Sequence, residues 1–533
     1  MDDTEDTGTP GRAVGRRAVL RSLTVGGAVA AAGPLAGTVG AGPASAAGPE
    51  LWTPPSAAGA PPVDGPHLTF GADPSREMVV SWSTTTPVRR PRALLGSPTG
   101  GFGKQVDAET RTYTDGPSGR EVYVHHARLR GLRPDRQYVY AAVHDGGMPE
   151  MGTFRTAPRG RAPFTFTSFG DQATPTLTWS PSDSGGYSVV PNGIASPAAG
   201  DIVAGIEQVG PLFHLLNGDL SYANISQDRV RTWNDFFANN SRSARFRPWM
   251  PAAGNHENEK QNGPLGFEAY QARFLLPPNG DDPAFAGLWY AFTAGSVRVV
   301  VLQGDEVAYQ DAGDTYVHGY SGGRQRQWLE AELRATRADR DIDWVVVCIH
   351  QPTISSAAAN GPDLGVREQF APLFDAYEVD LVVCGHDHHY ERSLPVRGVV
   401  PGSETLTPNP VGSDPSRIDT STGTVHMVLG GGGTSFNSNT LFYTPARARV
   451  ITGVGPVGAN GKHPSIYAFE DAPWIGFRDT DHAFGFAAFT VDPGTRPGGT
   501  TQLQVTYYTV DRPDGRVAPL ESFTLYRPRR DLR

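Results

Sequence analysis

Five short stretches of this chain, four of them plainly hydrophobic, end at side chains that donate electron pairs. They close on Gly170-Asp171, Gly218-Asp219-Leu220-Ser221-Tyr222, Gly254-Asn255-His256-Glu257, Val347-Cys348-Ile349-His350 and Gly385-His386-Asp387-His388. The clearest preceding runs are Phe164 to Phe169, Phe213 to Leu216, Trp344 to Ile349 and Asp380 to Cys384. Continuous apolar runs of this length read as strands buried on both faces. A Gly just before a donor permits a sharp turn where the strand stops, so the side chain can enter a shared cleft. The pattern implies an α/β sheet with its functional groups gathered at the strand ends. Helix is the minority element, clearest at Gly323 to Arg337, where Trp328, Leu329 and Leu333 recur at helical spacing among charges.

Counted by chemistry, the donors are two carboxylates (Asp171, Asp219), a phenol (Tyr222), an amide oxygen (Asn255) and three imidazoles (His350, His386, His388). One metal ion would not need so many ligands, whereas two ions sharing a carboxylate would. Carboxylate plus phenolate is a hard anionic set suited to Fe(III), and imidazole plus amide suits a divalent Zn, Mn or Fe. A lone Gly-Asp pair means little, because it is ordinarily a turn. Gly304-Asp305, after the run Val297 to Leu302, is such a case and receives no role.

The order of these motifs resembles the calcineurin-like metallophosphoesterases, and Tyr222 aligns the chain with the purple acid phosphatases among them. The resemblance runs from about Pro66 to Phe523 and includes Trp328-Leu329-Glu330, the extension through His389-Tyr390-Glu391-Arg392, and Phe484-Gly485-Phe486. It implies an α/β/β/α metallophosphoesterase sandwich preceded by a small all-β, fibronectin type III-like sandwich. By the same resemblance Asp171, Tyr222 and His388 hold the trivalent metal, Asn255, His350 and His386 the divalent one, and Asp219 bridges them. His256 lies outside the metal sphere, orienting phosphate or protonating the leaving alkoxide. Such metals lower the pKa of a bound water and neutralise charge building on phosphorus. Glu257 and Arg392 are candidates for orienting the ligands from behind.

Two departures from the family pattern stand out. The first motif continues Gln172-Ala173 where the family usually has a second Gly, which implies a reshaped loop. After His350 the sequence reads Gln351-Pro352-Thr353, without the extra histidines that plant relatives use for substrate contact.

The rest of the chain frames this site. With 533 residues it is long enough for two or three domains. Residues 1–46 combine Arg16-Arg17, a mildly hydrophobic stretch from Ser22 and Ala44-Ser45-Ala46, a twin-arginine-type signal that implies export through that machinery and a secreted product. Residues 47–63 read as a linker, 64–158 as the fibronectin III-like domain, 162–482 as the catalytic domain and 483–528 as its C-terminal β segment. Net charge is -9 with no Lys/Arg cluster, which argues against nucleic acid as a partner. Beyond the signal no run approaches the roughly 18 apolar residues of a membrane span.

Other residues take structural readings. Cys348 and Cys384 are expected to be buried thiols, not a disulfide. His125, His126 and His214 are read as structural histidines and His389 as a neighbour of the site. Gly430 to Gly433 lacks the Lys of a phosphate-binding loop and reads as a close turn near the cleft. The expected activity is hydrolysis of small phosphate monoesters. A phosphodiesterase or nucleotidase on the same metals, with Gln172 to Asp201 and Gly433 to His482 shaping the pocket, is the alternative. A non-catalytic surface-binding protein is a third.

Overall fold

The computed structural model describes residues 59–174, 177–181, 187–191, 198–280, 282–434, 442–512 and 514–532. The signal segment 1–46 and most of the linker therefore lie outside the described residues.

Alternating short strands between Asp64 and Arg155 form two four-stranded antiparallel sheets. Leu68, Phe70, Val80, Trp82, Leu95, Leu129, Tyr140 and Phe154 are buried between and beneath them. His125 and His126 serve this framework. The first bonds the Thr84 and Thr110 hydroxyls at 2.9 Å each, and the second links Ser81 Oγ (2.8 Å) to the Ala272 carbonyl (2.9 Å).

The Ala272 contact belongs to a seam between this sandwich and the larger α/β part. Thr69 Oγ1 donates to the Leu275 carbonyl (2.8 Å), Tyr140 OH to the Arg245 carbonyl (2.8 Å), and the Gly116 N–H to Asn262 Oδ1 (2.8 Å). Gly65 presses on Phe237, where a Cβ would stand 2.7 Å from the Phe237 Cβ. Each of these bonds joins a side chain to a backbone group across the seam, and those of Thr69 and His126 are buried, which makes the seam part of the folded core.

The α/β part holds two seven-stranded sheets. In the first, Phe164–Phe169, Phe213–Leu216 and Trp249–Pro251 run parallel, and Gly485–Asp492, Thr500–Asp511 and Arg516–Pro528 continue the sheet antiparallel. In the second, Val297–Val301, Trp344–Cys348, Leu381–Cys384 and Val425–Leu429 run parallel in direct register, with Val300 opposite Val347 and Val347 opposite Val382. Runs of Val suit such strands because their branched side chains pack well on a pleated, doubly covered surface.

Helix Ala198–Val209 covers the outer face of the first sheet, with Gly205 against Phe486. Helix Arg324–Ala338 covers the second, burying Gln325, Leu329 and Leu333 on one stripe, and Arg298 Nε pairs with Glu332 at 2.7 Å. The layering is α/β/β/α. Among the described residues no helix is long and apolar enough to cross a membrane.

One residue ties the two sheets together where their parallel strands end. Asn217 Oδ1 accepts from Ser168 Oγ (2.8 Å) and Cys348 Sγ (3.2 Å), and its Nδ2 donates to the Cys384 carbonyl (3.3 Å). Both cysteines are free and buried. His214 is also structural, bonding Thr167 Oγ1 at 2.9 Å between the rings of Phe169 and Trp249. All the strand ends that carry candidate donors thus open on one edge of the sandwich.

Candidate metal centre

The turns at that edge are tighter than Gly alone provides. Gly218 takes a positive φ of 83°, but so do the donors themselves: Asp171 at 61°, Asp219 at 52°, Tyr222 at 58° and His386 at 71°. Left-handed backbone at residues with a Cβ costs roughly 1–3 kcal/mol each and clusters at functional sites. Gly254 and Gly385 act through the space they leave. A Cβ on Gly254 would stand 2.3 Å from Asp219 Oδ1, and one on Gly385 2.3 Å from Asp171 Oδ2. The reshaped first loop is now explicable. Ala173 adopts φ of 48°, the conformation a Gly would supply, and packs with Tyr222 in a small buried cluster.

Two groups of donors result. In the first, His350 Nε2 lies 3.1 Å from Asp219 Oδ2, 3.1 Å from Asn255 Oδ1 and 3.2 Å from His386 Nδ1. In the second, Tyr222 OH lies 3.3 Å from Asp171 Oδ1 and 3.2 Å from His388 Nε2, and His388 Nε2 lies 3.3 Å from the same Asp171 oxygen. All seven candidate ligands therefore come together. Asp219, His350 and His386 present ligand atoms within 4.8 Å of one another, all buried.

The chemistry of the first group fits a cation. His350 Nδ1–H donates to the Asn217 carbonyl at 2.7 Å, and His386 Nε2–H donates to Gln310 Oε1 at 2.7 Å. The other nitrogens therefore face each other across 3.2 Å beside the Asp219 carboxylate, and His350 Nε2 faces the Asn255 amide oxygen as well, both oxygens being acceptors. A positive charge is needed where they meet. Although burial opposes it, Asp219 and Asp171 carry the His350 pKa up to about 10, so without a metal a proton takes that place. Burial, with help from His350, lowers His386 to about 3, leaving its lone pair free. Against burial, His350 and His256 hold the Asp219 carboxyl well below its usual range.

In the second group, burial and the charges of Asp219 and Asp171 push the Tyr222 phenol well above its ordinary pKa. It stays protonated unless a strongly polarising cation binds, which is what a carboxylate–phenol–imidazole set suits. Asp171 raises His388 against the effect of burial.

His256 stands beside the donors, its ring 4.1 Å from that of Tyr222 and its Nε2 3.9 Å from Asp219 Oδ2. Nδ1–H donates to Asn224 Oδ1 at 2.8 Å, which leaves Nε2 free to face the centre. The side chains of His256 and His388 are 21% and 30% exposed while those of Asp171, Asp219 and His350 are at most 3%, so the site opens on their side.

The two residues expected to support the ligands differ. Glu257 grips backbone. Its Oε2 accepts from the N–H groups of Asp219 (2.9 Å) and Gly254 (2.8 Å), and its Oε1 from Leu220 N–H (2.8 Å). Arg392 is a correction. Its guanidinium pairs with Glu521 at 2.6 Å, lies 4.3 Å over the Phe523 ring and donates to the Pro415 carbonyl at 3.2 Å, so it anchors the C-terminal strand and does not orient a ligand. His389 is a buried neighbour, 3.2 Å from Glu391 Oε2. The glycine run lies beneath the first turn: Gly432 N–H donates to the Gly170 carbonyl (2.9 Å), and Thr434 Oγ1 to the Asp171 carbonyl (2.8 Å). Asn217, Asn224 and Gln310 were not singled out from sequence, although Asn217 directly precedes Gly218-Asp219.

A buried carboxylate–imidazole cluster at the strand ends of an α/β/β/α sandwich defines a metal-dependent phosphoric ester hydrolase. Residues 63–156 match the family model described as purple acid phosphatase, N-terminal domain, and residues 197–390 that of calcineurin-like phosphoesterase. An uncharacterized protein of Mycobacterium tuberculosis is 56% identical across 99% of both chains. Purple acid phosphatase 21 of Arabidopsis thaliana is 30% identical, over 55% of this chain and 59% of its own length. The structure of a purple acid phosphatase from yellow lupin (Lupinus luteus) seeds has the same fold, with TM-score 0.62 at 22% identity over 89% of this chain and 75% of that one. The chain belongs to the purple acid phosphatase family.

Replacing Glu257 by Gln turns an amide N–H₂ toward at least one backbone N–H and leaves it without an acceptor. Glu257→Gln is expected to lower stability by about 1–3 kcal/mol. Urea denaturation of the two proteins measures it, and an unchanged midpoint contradicts the role.

Proposed function

We propose that this chain is an exported acid phosphatase that hydrolyses small phosphate monoesters at a two-metal centre. Asp171, Tyr222 and His388 would hold Fe(III), and Asn255, His350 and His386 a divalent Zn, Mn or Fe, with Asp219 available to both. The observation that carries the reading is the division of seven donors into one hard, anionic group and one imidazole–amide group at the same edge of the fold. When bound, the ions supply Lewis acidity and a nucleophilic water at mildly acid pH.

The chain's own residues do the rest. Burial excludes bulk water from Asp171, Asp219 and His350, which strengthens their hold on positive charge. His256, fixed through Nδ1 by Asn224, points Nε2 toward the open side, where a phosphate ester enters. When the ring also carries a proton at Nε2, with Nδ1–H still bonded to Asn224, that second proton passes to the oxygen of the departing alkoxide as the P–O bond breaks and leaves the neutral imidazole. Asn255 places His256 by adjacency: one residue turns into the centre and the next faces substrate.

Two metals per chain, a visible band lost in Tyr222→Phe, and faster turnover of a chromogenic monoester than of the matching diester are expected from the mature protein. His256→Asn should keep both metals and lose about 10²–10⁴-fold in kcat. A preference for the diester would overturn the monoesterase reading, and two metals without a visible band would remove the iron–tyrosinate assignment.

Export rests on Arg16-Arg17 and Ala44-Ser45-Ala46. A reporter fused after residue 46 should leave the cytoplasm in a host with the twin-arginine pathway. Export that persists when both arginines become Lys would contradict that route.

A further inference from the structure

Between strand Val297–Val301 and helix Arg324–Ala338 the chain passes over the rim of the site, and its side chains reach histidines on two sides of the centre. On one side Gln310 Oε1 accepts the Nε2–H of His386 at 2.7 Å. The amide is set in that sense because Gln310 Nε2 donates to Asn360 Oδ1 at 3.2 Å. Asn360 in turn donates from Nδ2 to the His386 carbonyl (2.8 Å) and from its main-chain N–H to Asp387 Oδ1 (3.1 Å). The backbone of Gln310 is held as well, its N–H donating to Asp363 Oδ2 at 3.0 Å.

On the other side, Asp314 Oδ1 accepts from Asn224 Nδ2 at 3.2 Å. That bond commits the Asn224 amide group and leaves its oxygen for His256 Nδ1–H at 2.8 Å. Asp314 is itself pinned by Arg229 Nη2 (3.1 Å) and the Lys260 N–H (3.0 Å). Between the two anchors, Asp311 accepts from the His463 N–H at 2.8 Å and from Lys462 Nζ at 3.4 Å, so the hairpin Arg447–Val454 with Ser465–Asp471 braces the crossing from outside.

We propose that residues 310–314 form a positioning strap: Gln310 fixes the tautomer and ring direction of His386 toward the divalent metal, and Asp314, through Asn224, fixes those of His256 toward the leaving group. The inference rests on the two-metal phosphatase reading above and deepens it. An imidazole whose far nitrogen is held by a hydrogen bond presents one lone pair in one direction, and losing such a partner commonly weakens metal binding about 10–100-fold. The strap gives the two sides separate positioning residues, Gln310 for metal and Asp314, acting through Asn224, for proton delivery. Their substitution should therefore separate two readouts.

The experiment uses the full mature chain stripped of metal and reloaded with zinc, with zinc affinity read by competition with a chromophoric chelator. Leaving-group dependence of kcat/KM is read over a series of aryl phosphates, and thermal unfolding is followed alongside. Gln310→Ala should weaken one zinc-binding step about 10–100-fold without steepening the leaving-group dependence. Gln310→Glu, which restores an acceptor for His386 Nε2–H, should recover the affinity. Asn224→Ala should hold zinc as the wild type does and slow poor leaving groups far more than good ones.

Gln310→Ala that binds zinc as tightly as the wild type overturns the strap alone. So does a result in which both variants shift both readouts together with a lower melting temperature, which marks general loosening. A wild-type chain that binds no zinc and turns over no ester overturns the phosphatase reading and the strap with it.

Discussion

Mutual repulsion among buried electron-pair donors is the constraint on which this architecture depends. Asp219, Asn255, His350 and His386 turn acceptor atoms toward one point, with 3.1–3.2 Å between neighbours. Nothing in a protein interior gathers such groups without opposition, since each prefers water or a donor of its own. The fold around them is a set of restraints that keeps them there. The main-chain carbonyl of Asn217 holds the His350 ring, and its side chain holds the ends of both sheets. Glu257 clamps the Asp219 turn to the Gly254 turn. Glycines at 254 and 385 remove the atoms that would keep those turns apart. What the restraints cost is offset when a cation occupies the point they define, and the pull on His350 toward about 10 expresses the same demand in proton form.

The division of labour between layers follows. The parallel strands of two mixed sheets supply rigid strand ends, and the helices outside them supply little chemistry. The N-terminal sandwich reaches the same core through buried polar bonds to residues 262–275, so it braces the segment that follows Gly254-Asn255-His256-Glu257. This makes it a scaffold for the loop that carries both a candidate ligand and the candidate proton donor.

The donors were legible in the sequence because each follows a strand end by no more than six residues, a local signal that needs no knowledge of distant contacts. Strands at Phe164, Phe213, Trp344 and Leu381 and the helix beginning at Arg324 lie within a residue of their expected bounds. Residues whose roles depend on long-range partners were not legible. Arg392 sits in the same run as the donors, yet it belongs to the strand Tyr390–Ser393 beyond their loop, where it and Tyr390 both turn to Glu521 from the far end of the chain. Gln310 and Asp314 lie in a stretch without periodicity or motif, and only the folded chain brings them to His386 and Asn224. The glycines were expected to supply backbone freedom, whereas those at 254 and 385 supply room, and the unusual backbone falls on Asp171, Asp219, Tyr222 and His386.

Anomalous diffraction from crystals of the protein purified without chelator, recorded at the iron and zinc absorption edges, tests the two-group account most directly. Two peaks are predicted, one enclosed by Asp171, Tyr222 and His388 and responding at the iron edge, the other enclosed by Asn255, His350 and His386. A single peak at the His350 side, or two peaks of which neither touches Tyr222, would contradict the division of the donors on which the account rests.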